Sequence, residues 1–390
     1  MTREEVTKHI RESPKSNFLL ILPTGHGKTA QSLEIVKQRI QLEFPILIVI
    51  PRLVLIENWK EEIKKFNLTH YLPYITFTTY NSLHKYTDKK WMCVIYDECH
   101  HITDRCKDII NDIISHHNIF LSATVKADLK YWITYNYHPE VVEINLRNAI
   151  DNEVLPDPKV YLMPLQLSNM FFTETYEKTF KDRKKHITCF YPQRWKYLKD
   201  YNVTIKCTPL QYYDLISNDI DYWKRQAMKN KFFKNKWLHL CGERLKWLSN
   251  QKNEIIINLL KHLKNYRTLT FCNSIEQTET LGKYCINSKN KQSEEYLNMF
   301  NNKKIKHITS VNMLNEGMNL TDCKVGIYAC LNSSETLIKQ KTGRLLRHKN
   351  PIIIIPYYIN TREEELVKQM LENYNPELIS TITKFEDIIL

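Results

Sequence analysis

An α/β fold built as two parallel-sheet blocks, with a basic helical insertion between them, is predicted by three observations. Short, continuous Val/Ile/Leu-rich runs alternate with amphipathic segments from Phe18 to about Glu143. The same alternation resumes at about Lys252 and continues past Ile352. The stretch 168–251 interrupts it with a different, basic and aromatic composition. Continuous apolar runs mark strands covered on both faces, as in a parallel sheet sandwiched between helices.

In the first block, strands are expected at Phe18–Leu22, Pro45–Ile50, Ile75–Thr79, Met92–Tyr96 and Ile119–Ser122. Each is a short apolar run bounded by polar or turn-forming residues. Ala30 to Ile40 has helical spacing. In the second block, Ile255–Leu263 reads as a helix, Thr268–Cys272 as a strand and Ser274–Cys285 as a helix. Further strands are expected at Ile305–Thr309, Val325–Ala329 and Ile352–Ile355. The domains are therefore expected at 1–145 and 252–390. A linker and the first strand of the second domain occupy 146–167, and the insertion occupies 168–251.

The insertion carries 18 Lys/Arg between Lys178 and Lys252 against 6 Asp/Glu, interleaved with Trp195, Trp223, Trp237 and Trp247. Asp221 to Ser249 has a helical pattern. One reading is a solvated helical insertion with a small aromatic core. The other is a nucleic-acid-facing element, with cations on phosphates and a ring stacked on a base. Lys229, Lys231, Lys234 and Lys236 are its candidate contacts.

Composition narrows the classes further. The 43% hydrophobic content is ample for buried cores across 390 residues. A formal net charge of +13 points to a polyanionic partner, nucleic acid before an acidic membrane. No apolar run reaches the roughly 18 residues that span a bilayer. The N-terminus has no signal-peptide core. Ten scattered Cys without a CxxC pair argue against a zinc site or disulfide framework, and for a reducing, cytoplasmic interior. Of seven Gly, four lie in the motifs below (Gly25, Gly27, Gly317, Gly343), so glycine is placed where backbone geometry requires it.

Two motifs carry chemistry on their own. Pro23-Thr24-Gly25-His26-Gly27-Lys28-Thr29 lies between an expected strand and an expected helix. A tight glycine turn ending in Lys-Thr directs backbone N–H groups at phosphate, adds the Lys28 charge, and offers Thr29 to Mg²⁺. The full GxxxxGK[ST] pattern is not met, because Leu22 stands at its first Gly. The second motif, Asp97-Glu98-Cys99-His100, closes the run Met92–Tyr96. Carboxylates at the C-terminal edge of a parallel sheet, beside such a loop, can hold Mg²⁺ (Asp97) and polarise an attacking water (Glu98).

These motifs and their successors resemble the superfamily 2 helicases and translocases of the DEAD/DEAH type. Thr24–Thr29 looks like motif I, and Ile46–Trp59 with Pro51 and Arg52 resembles motif Ia. Thr78-Thr79-Tyr80 is similar to the short motif that follows. Asp97–His100 matches motif II in its DECH form, and Ser122-Ala123-Thr124 matches motif III. Leu269–Ser274, with Asn273 and Ser274, resembles motif IV. Leu314–Leu320 resembles motif V, and Gln340–Arg347 matches motif VI. Within the superfamily the chain looks most like restriction-enzyme helicase subunits, Rad25-type repair helicases and phage recombination helicases. The abundance of Lys, Asn and Ile fits a phage or mobile-element version from an AT-rich genome.

The resemblance implies two RecA-like domains, with ATP and Mg²⁺ as cofactors and DNA, single-stranded or branched, as partner. Lys28 would contact the β- and γ-phosphates, and Thr29 and Asp97 the Mg²⁺. Glu98 would act on water, and His100 would couple the nucleotide site to the partner domain. Ser122, Ala123 and Thr124 would link hydrolysis to domain motion. Arg344 and Arg347 would be arginine fingers with Gln340 nearby, a contribution worth about 10³–10⁵ in rate in other phosphoryl-transfer systems. Glu316, Gly317 and Asn319 would line the cleft. Pro51, Arg52, Thr79, Asn273 and Ser274 would meet nucleic acid. The first 23 residues contain no Gln, so the adenine-reading glutamine of many relatives is missing and selectivity for ATP is open. Four alternatives stay open: an RNA helicase, a translocase that remodels without unwinding, the motor subunit of a restriction-type complex with protein partners, and a scaffold with a degenerate ATPase.

Overall fold

The computed structural model describes residues 1–170, 174–191, 200–311, 320–331, 345, 348–372 and 374–389. The first block forms six parallel strands: β1 (Phe18–Ile21), β2 (Ile46–Ile50), β3 (Ile75–Thr79), β4 (Lys90–Tyr96), β5 (Ile114–Ser122) and β6 (Glu140–Glu143). Their spatial order is β3-β2-β4-β5-β1-β6. Along β1, Phe18 and Leu20 face one apolar layer, while Leu19 and Ile21 face the other. Along β2, Ile46, Ile48 and Ile50 join the first layer and Leu47 and Val49 the second. That is why these runs are continuously apolar: helices cover both faces.

Six helices flank this sheet: α1 (Arg3–Glu12), α2 (Lys28–Arg39), α3 (Leu55–Lys65), α4 (Asp104–Asn111), α5 (Ala127–Tyr137) and α6 (Leu146–Asp151). A capping box of Thr2 and Glu5 starts α1. On α3, Leu55, Trp59 and Ile63 recur at four-residue intervals and are buried.

The second sheet contains β7 (Lys159–Leu165), β11 (Thr268–Phe271), β12 (Cys285–Ile286), β13 (His307–Ser310), β14 (Val325–Tyr328), β15 (Ile352–Tyr358) and β16 (Ile379–Thr381). They pair in parallel in the order β12-β13-β11-β14-β15-β7-β16. The strand that follows the linker, β7, thus sits between the two last strands of the chain. Helices α9 (Asn253–His262), α10 (Ile275–Leu281), α11 (Ser293–Asn301) and α12 (Arg362–Leu371) flank it. The segment Ser274–Cys285, expected as one helix, ends at Leu281, and Cys285 instead enters the edge strand β12.

The insertion departs from the expectation of a wholly helical element. Its first part is a small sheet of β8 (Glu174–Lys178), β9 (His186–Phe190) and β10 (Asn202–Cys207), ordered β8-β10-β9. Only then comes an antiparallel helical hairpin, α7 (Pro209–Lys229) and α8 (Lys234–Gln251). A Thr208–Gln211 capping box with Pro209 at the first turn starts α7. The segment 221–249, read as helical, turns back at Asn230. Tyr176, Cys189, Val203 and Ile205 from the sheet pack on Leu215, Ile216 and Ile220 of α7. Among the described residues, no helix is long and apolar enough to cross a membrane.

Candidate nucleotide site

Strand order alone brings three sequence motifs together. The neighbours of β5 are β1 and β4, so the loops leaving the C-terminal ends of these three strands share one edge. The register pairs Ile21 with Ser122, and the backbone N–H of Leu22 donates to Ser122 O at 3.0 Å. On the far side of β4, Asp97 N–H donates to Val49 O of β2 at 2.8 Å. An edge where strand order reverses is where α/β sheets place ligands.

The turn after β1 has the backbone that a phosphate cradle needs. Gly25 and Gly27 have φ of 92° and 102°, conformations open to glycine and strained for other residues. Gly27 caps α2, so the first N–H groups of that helix have no partner within it. The Thr24 hydroxyl is buried with no hydrogen-bond partner. An orphaned buried donor beside free N–H groups fits an anionic ligand rather than a closed structural turn. The pocket here has a volume of about 560 Å³, lined by Thr24, Gly25, Gly27, Lys28, Thr29, Asp97 and Glu98 among others. Two members of the expected motif I set lie elsewhere. Pro23 and His26 do not line the pocket. The His26 ring is fully buried and points at Met1 O, 3.4 Å away, and burial lowers its pKa.

The charged groups form one connected set. Lys28 Nζ lies 3.3 Å from Glu98 Oε1. Glu98 Oε2 lies 3.4 Å from His100 Nδ1, which shares a 3.0 Å hydrogen bond with Ser122 Oγ. Ser122 Oγ–H donates to Thr124 O at 2.7 Å. With that proton committed, Nδ1 must be the donor to Ser122, which fixes the His100 tautomer. Motif II and motif III side chains are thus in direct contact. Withdrawal from water pushes the Asp97 carboxyl pKa up, and the adjacent Glu98 adds to this. The same withdrawal acts on Glu98, but Lys28 and His100 together outweigh it and hold Glu98 below the usual range. Glu98 also occupies the left-handed backbone region, with φ of 49°. Strain at a non-glycine residue of this kind concentrates at functional sites.

Three residues to which sequence reasoning gave no role in the nucleotide site complete it. Trp59 Nε1 donates to Asp97 Oδ2 at 3.0 Å from α3. Tyr80 OH donates to Asp97 O at 2.8 Å. Arg3 of α1 donates to Gly25 O at 2.7 Å and lines the pocket. Of the remaining expected residues, Arg52 is exposed and Thr79 half-buried. Asn273 N–H donates to Gln277 Oε1, and Ser274 caps α10. Lys229, Lys231, Lys234 and Lys236 are all exposed on the hairpin. Glu316, Gly317, Asn319, Gln340, Arg344 and Arg347 lie outside the described residues.

Comparison with known proteins follows the same division. Residues 2–127 match the family model of the type III restriction enzyme res subunit. Residues 251–349 match the model of the helicase conserved C-terminal domain. The first match spans motifs I to III and the second motifs IV to VI, in the order expected. The chain belongs to the superfamily 2 helicases. A relative, the DNA 3'-5' translocase XPB2 of Sulfurisphaera tokodaii, is 24% identical over 354 residues, 85% of this chain and 75% of its own. The fold is shared with Saccharomyces cerevisiae Dbp5 bound to RNA and ADP BeF3. That structure has a TM-score of 0.63 at 10% identity, over 98% of this chain and 89% of its own. A fragment of an HsdR subunit of a type I restriction enzyme from Vibrio vulnificus has a TM-score of 0.59 at 16% identity, over 98% and 68%. Apart from its last residue, Gln251, the insertion lies between the two family models.

Proposed function

We propose that this superfamily 2 protein is an ATP-dependent DNA helicase or translocase that couples ATP hydrolysis to movement along DNA. The observation that carries the chemistry is the continuous contact from Lys28 through Glu98 and His100 to Ser122, built beside the open glycine turn. Lys28, Thr29 and the N–H groups at the start of α2 would bind the nucleotide phosphates. Thr29 and Asp97 would hold Mg²⁺, which when bound neutralises charge on the phosphates. Lys28 now pairs with Glu98, and a phosphate would compete for it. Glu98, released, would orient the attacking water. His100 would then pass the change to Ser122 and Thr124. Arg344, Arg347 and Gln340 would act in transition-state stabilisation, and Glu316, Gly317 and Asn319 at the cleft, as the superfamily motifs imply.

The choice of DNA rests on the XPB2 relative, whose described activity is DNA translocation. An RNA-dependent motor is the second reading, favoured by the fold shared with RNA-bound Dbp5. One experiment tests both. ATP hydrolysis is measured alone and with single-stranded, duplex and forked DNA and with RNA, for the parent and Lys28→Ala. Stimulation by DNA that vanishes in Lys28→Ala, with an unchanged circular dichroism spectrum, is the expected result. Turnover retained in Lys28→Ala would sink the site assignment, and stimulation by RNA alone would replace the polymer.

A further inference from the structure

The outer half of the α7–α8 hairpin has no fully buried side chain; Trp237, Leu240 and Cys241 reach back, partly buried, to the insertion's core. The last buried side chain of α7 is Ile220, and the first of α8 is Leu248. Between Asp221 and Trp247 no residue is buried. At about 1.5 Å per residue, α7 runs roughly 14 Å beyond Ile220 into solvent. Yet the tip is built rather than loose. Asn230 Oδ1 accepts from Phe232 N–H at 2.9 Å, and Phe233 N–H donates to Asn230 O at 3.1 Å, which closes the turn. Under it, the rings of Trp223 and Phe233 lie 5.4 Å apart, and those of Phe233 and Phe232 5.5 Å apart.

This small aromatic cluster of tilted and edge-to-face rings presents apolar groups to water. Phe232 is 82% exposed and Met228 is 76% exposed. From Tyr222 to Gly242 the chain has six Lys/Arg and no Asp or Glu. An apolar tip ringed only by cations is a poor match for a protein partner, because each Lys would lose its water, and Lys is depleted from interface cores. It is a poor match for intact duplex too, whose bases are already stacked. It matches a strand with unpaired bases, which offers flat apolar rings between phosphates.

We propose that Phe232, supported by Trp223 and Phe233 and flanked by Met228, is a stacking platform for an unpaired base of single-stranded DNA. Lys229, Lys231 and Lys234 take the flanking phosphates. This rests on the reading of the chain as a nucleic-acid motor and gives the insertion a task within it: holding a strand whose bases are already exposed.

The test uses the full chain and a single-stranded DNA with a central 2-aminopurine, whose fluorescence changes when it stacks. Affinity is measured by anisotropy across a salt series for the parent, Phe232→Ala and Phe232→Trp. Phe232→Ala should bind about 5- to 100-fold more weakly and lose the fluorescence change, with an unaltered salt slope, since no charge is removed. Phe232→Trp should restore both. ATP hydrolysis without nucleic acid should be the same in all three. The same signal on RNA of the same sequence would keep the platform and extend it to that polymer. Parent-like affinity and fluorescence in Phe232→Ala would overturn the proposal while leaving the motor intact. So would a switch from dimer to monomer in sedimentation with DNA binding unchanged, which would make the tip a self-association surface. Absence of any nucleic-acid binding by the parent would remove the motor reading and the platform together.

Discussion

Asp97 is held at three atoms: its N–H by Val49 O, its carbonyl by Tyr80, and one carboxylate oxygen by Trp59. The Trp59 bond is the informative one, because the indole is 2% exposed and cannot swing away without breaking its packing. It leaves Asp97 one oxygen bonded and the carboxylate plane fixed, the arrangement that orients a metal-binding carboxylate. Trp59→Phe keeps an apolar ring but removes the donor. Its nucleotide binding should need about 10- to 100-fold more Mg²⁺, by analogy with other supporting groups around metal ligands. A Mg²⁺ titration of a fluorescent ATP analogue measures this; an unmoved midpoint with only a lower melting temperature would make Trp59 mere packing. The residue scale also shows what a sequence can reveal. Gly25, Gly27 and Lys28 were legible because a phosphate turn restricts backbone and charge together. Trp59 was not, since Leu55, Trp59 and Ile63 have the spacing of an ordinary core stripe. Arg3 and Tyr80 act by side-chain reach across elements, which no local pattern encodes. His26, inside the motif, turns into the interior instead of the pocket.

At the scale of elements, the joint between the insertion and the second sheet is a buried ion pair. Lys252 follows α8, Glu363 opens α12, and their side chains are 0% and 1% exposed, with Nζ and Oε1 2.5 Å apart. Lys252 also donates to Pro356 O, and Glu363 accepts from Tyr358 N–H. The exit of the hairpin after α8 is thereby fastened to β15 and α12. Removing one partner strands a buried charge, so Lys252→Met should destabilise the chain by about 3–5 kcal/mol in urea unfolding. Lys252→Met with Glu363→Leu should cost much less. Equal losses in the single and double variants would show that packing, not charge, decides. The elements that sequence placed best are those buried on both faces, β1, β2, β11 and β15, where the run itself is the signal. It missed β8 and β9 because only one residue of each five is buried. Their alternation is lost among Lys and aromatic residues, and their pairing is with distant β10. By contrast, the helical reading of 221–249 covered most of α8 and the last part of α7, but neither the first twelve residues of α7 nor the turn at Asn230.

The whole molecule is electrostatically divided. The stretch 178–252 holds 18 Lys/Arg and 6 Asp/Glu, which accounts for nearly all of the chain's formal net charge of +13. The two sheet-bearing parts are therefore close to neutral, and the net positive field originates on the insertion. Apart from its last two residues this stretch lies outside both family models, so the helicase motifs and most of the net positive charge reside in separate parts of the sequence. Counterion release makes the division measurable. The slope of log affinity against log salt for single strands is about −0.7 per phosphate neutralised. Reversing Lys229, Lys231, Lys234 and Lys236 to Glu should reduce the magnitude of that slope by up to about 3 if each takes one phosphate. It should lower affinity most at low salt and leave ATP hydrolysis without nucleic acid unchanged, because all four are exposed on the hairpin and none lines the nucleotide pocket. Phe232→Ala is expected to do the reverse, lowering affinity at a constant slope. A charge-reversed protein with the parent's slope would place the phosphate contacts on the two sheet domains, around Arg52 and Asn273, and reduce the insertion's charge to a solubility role.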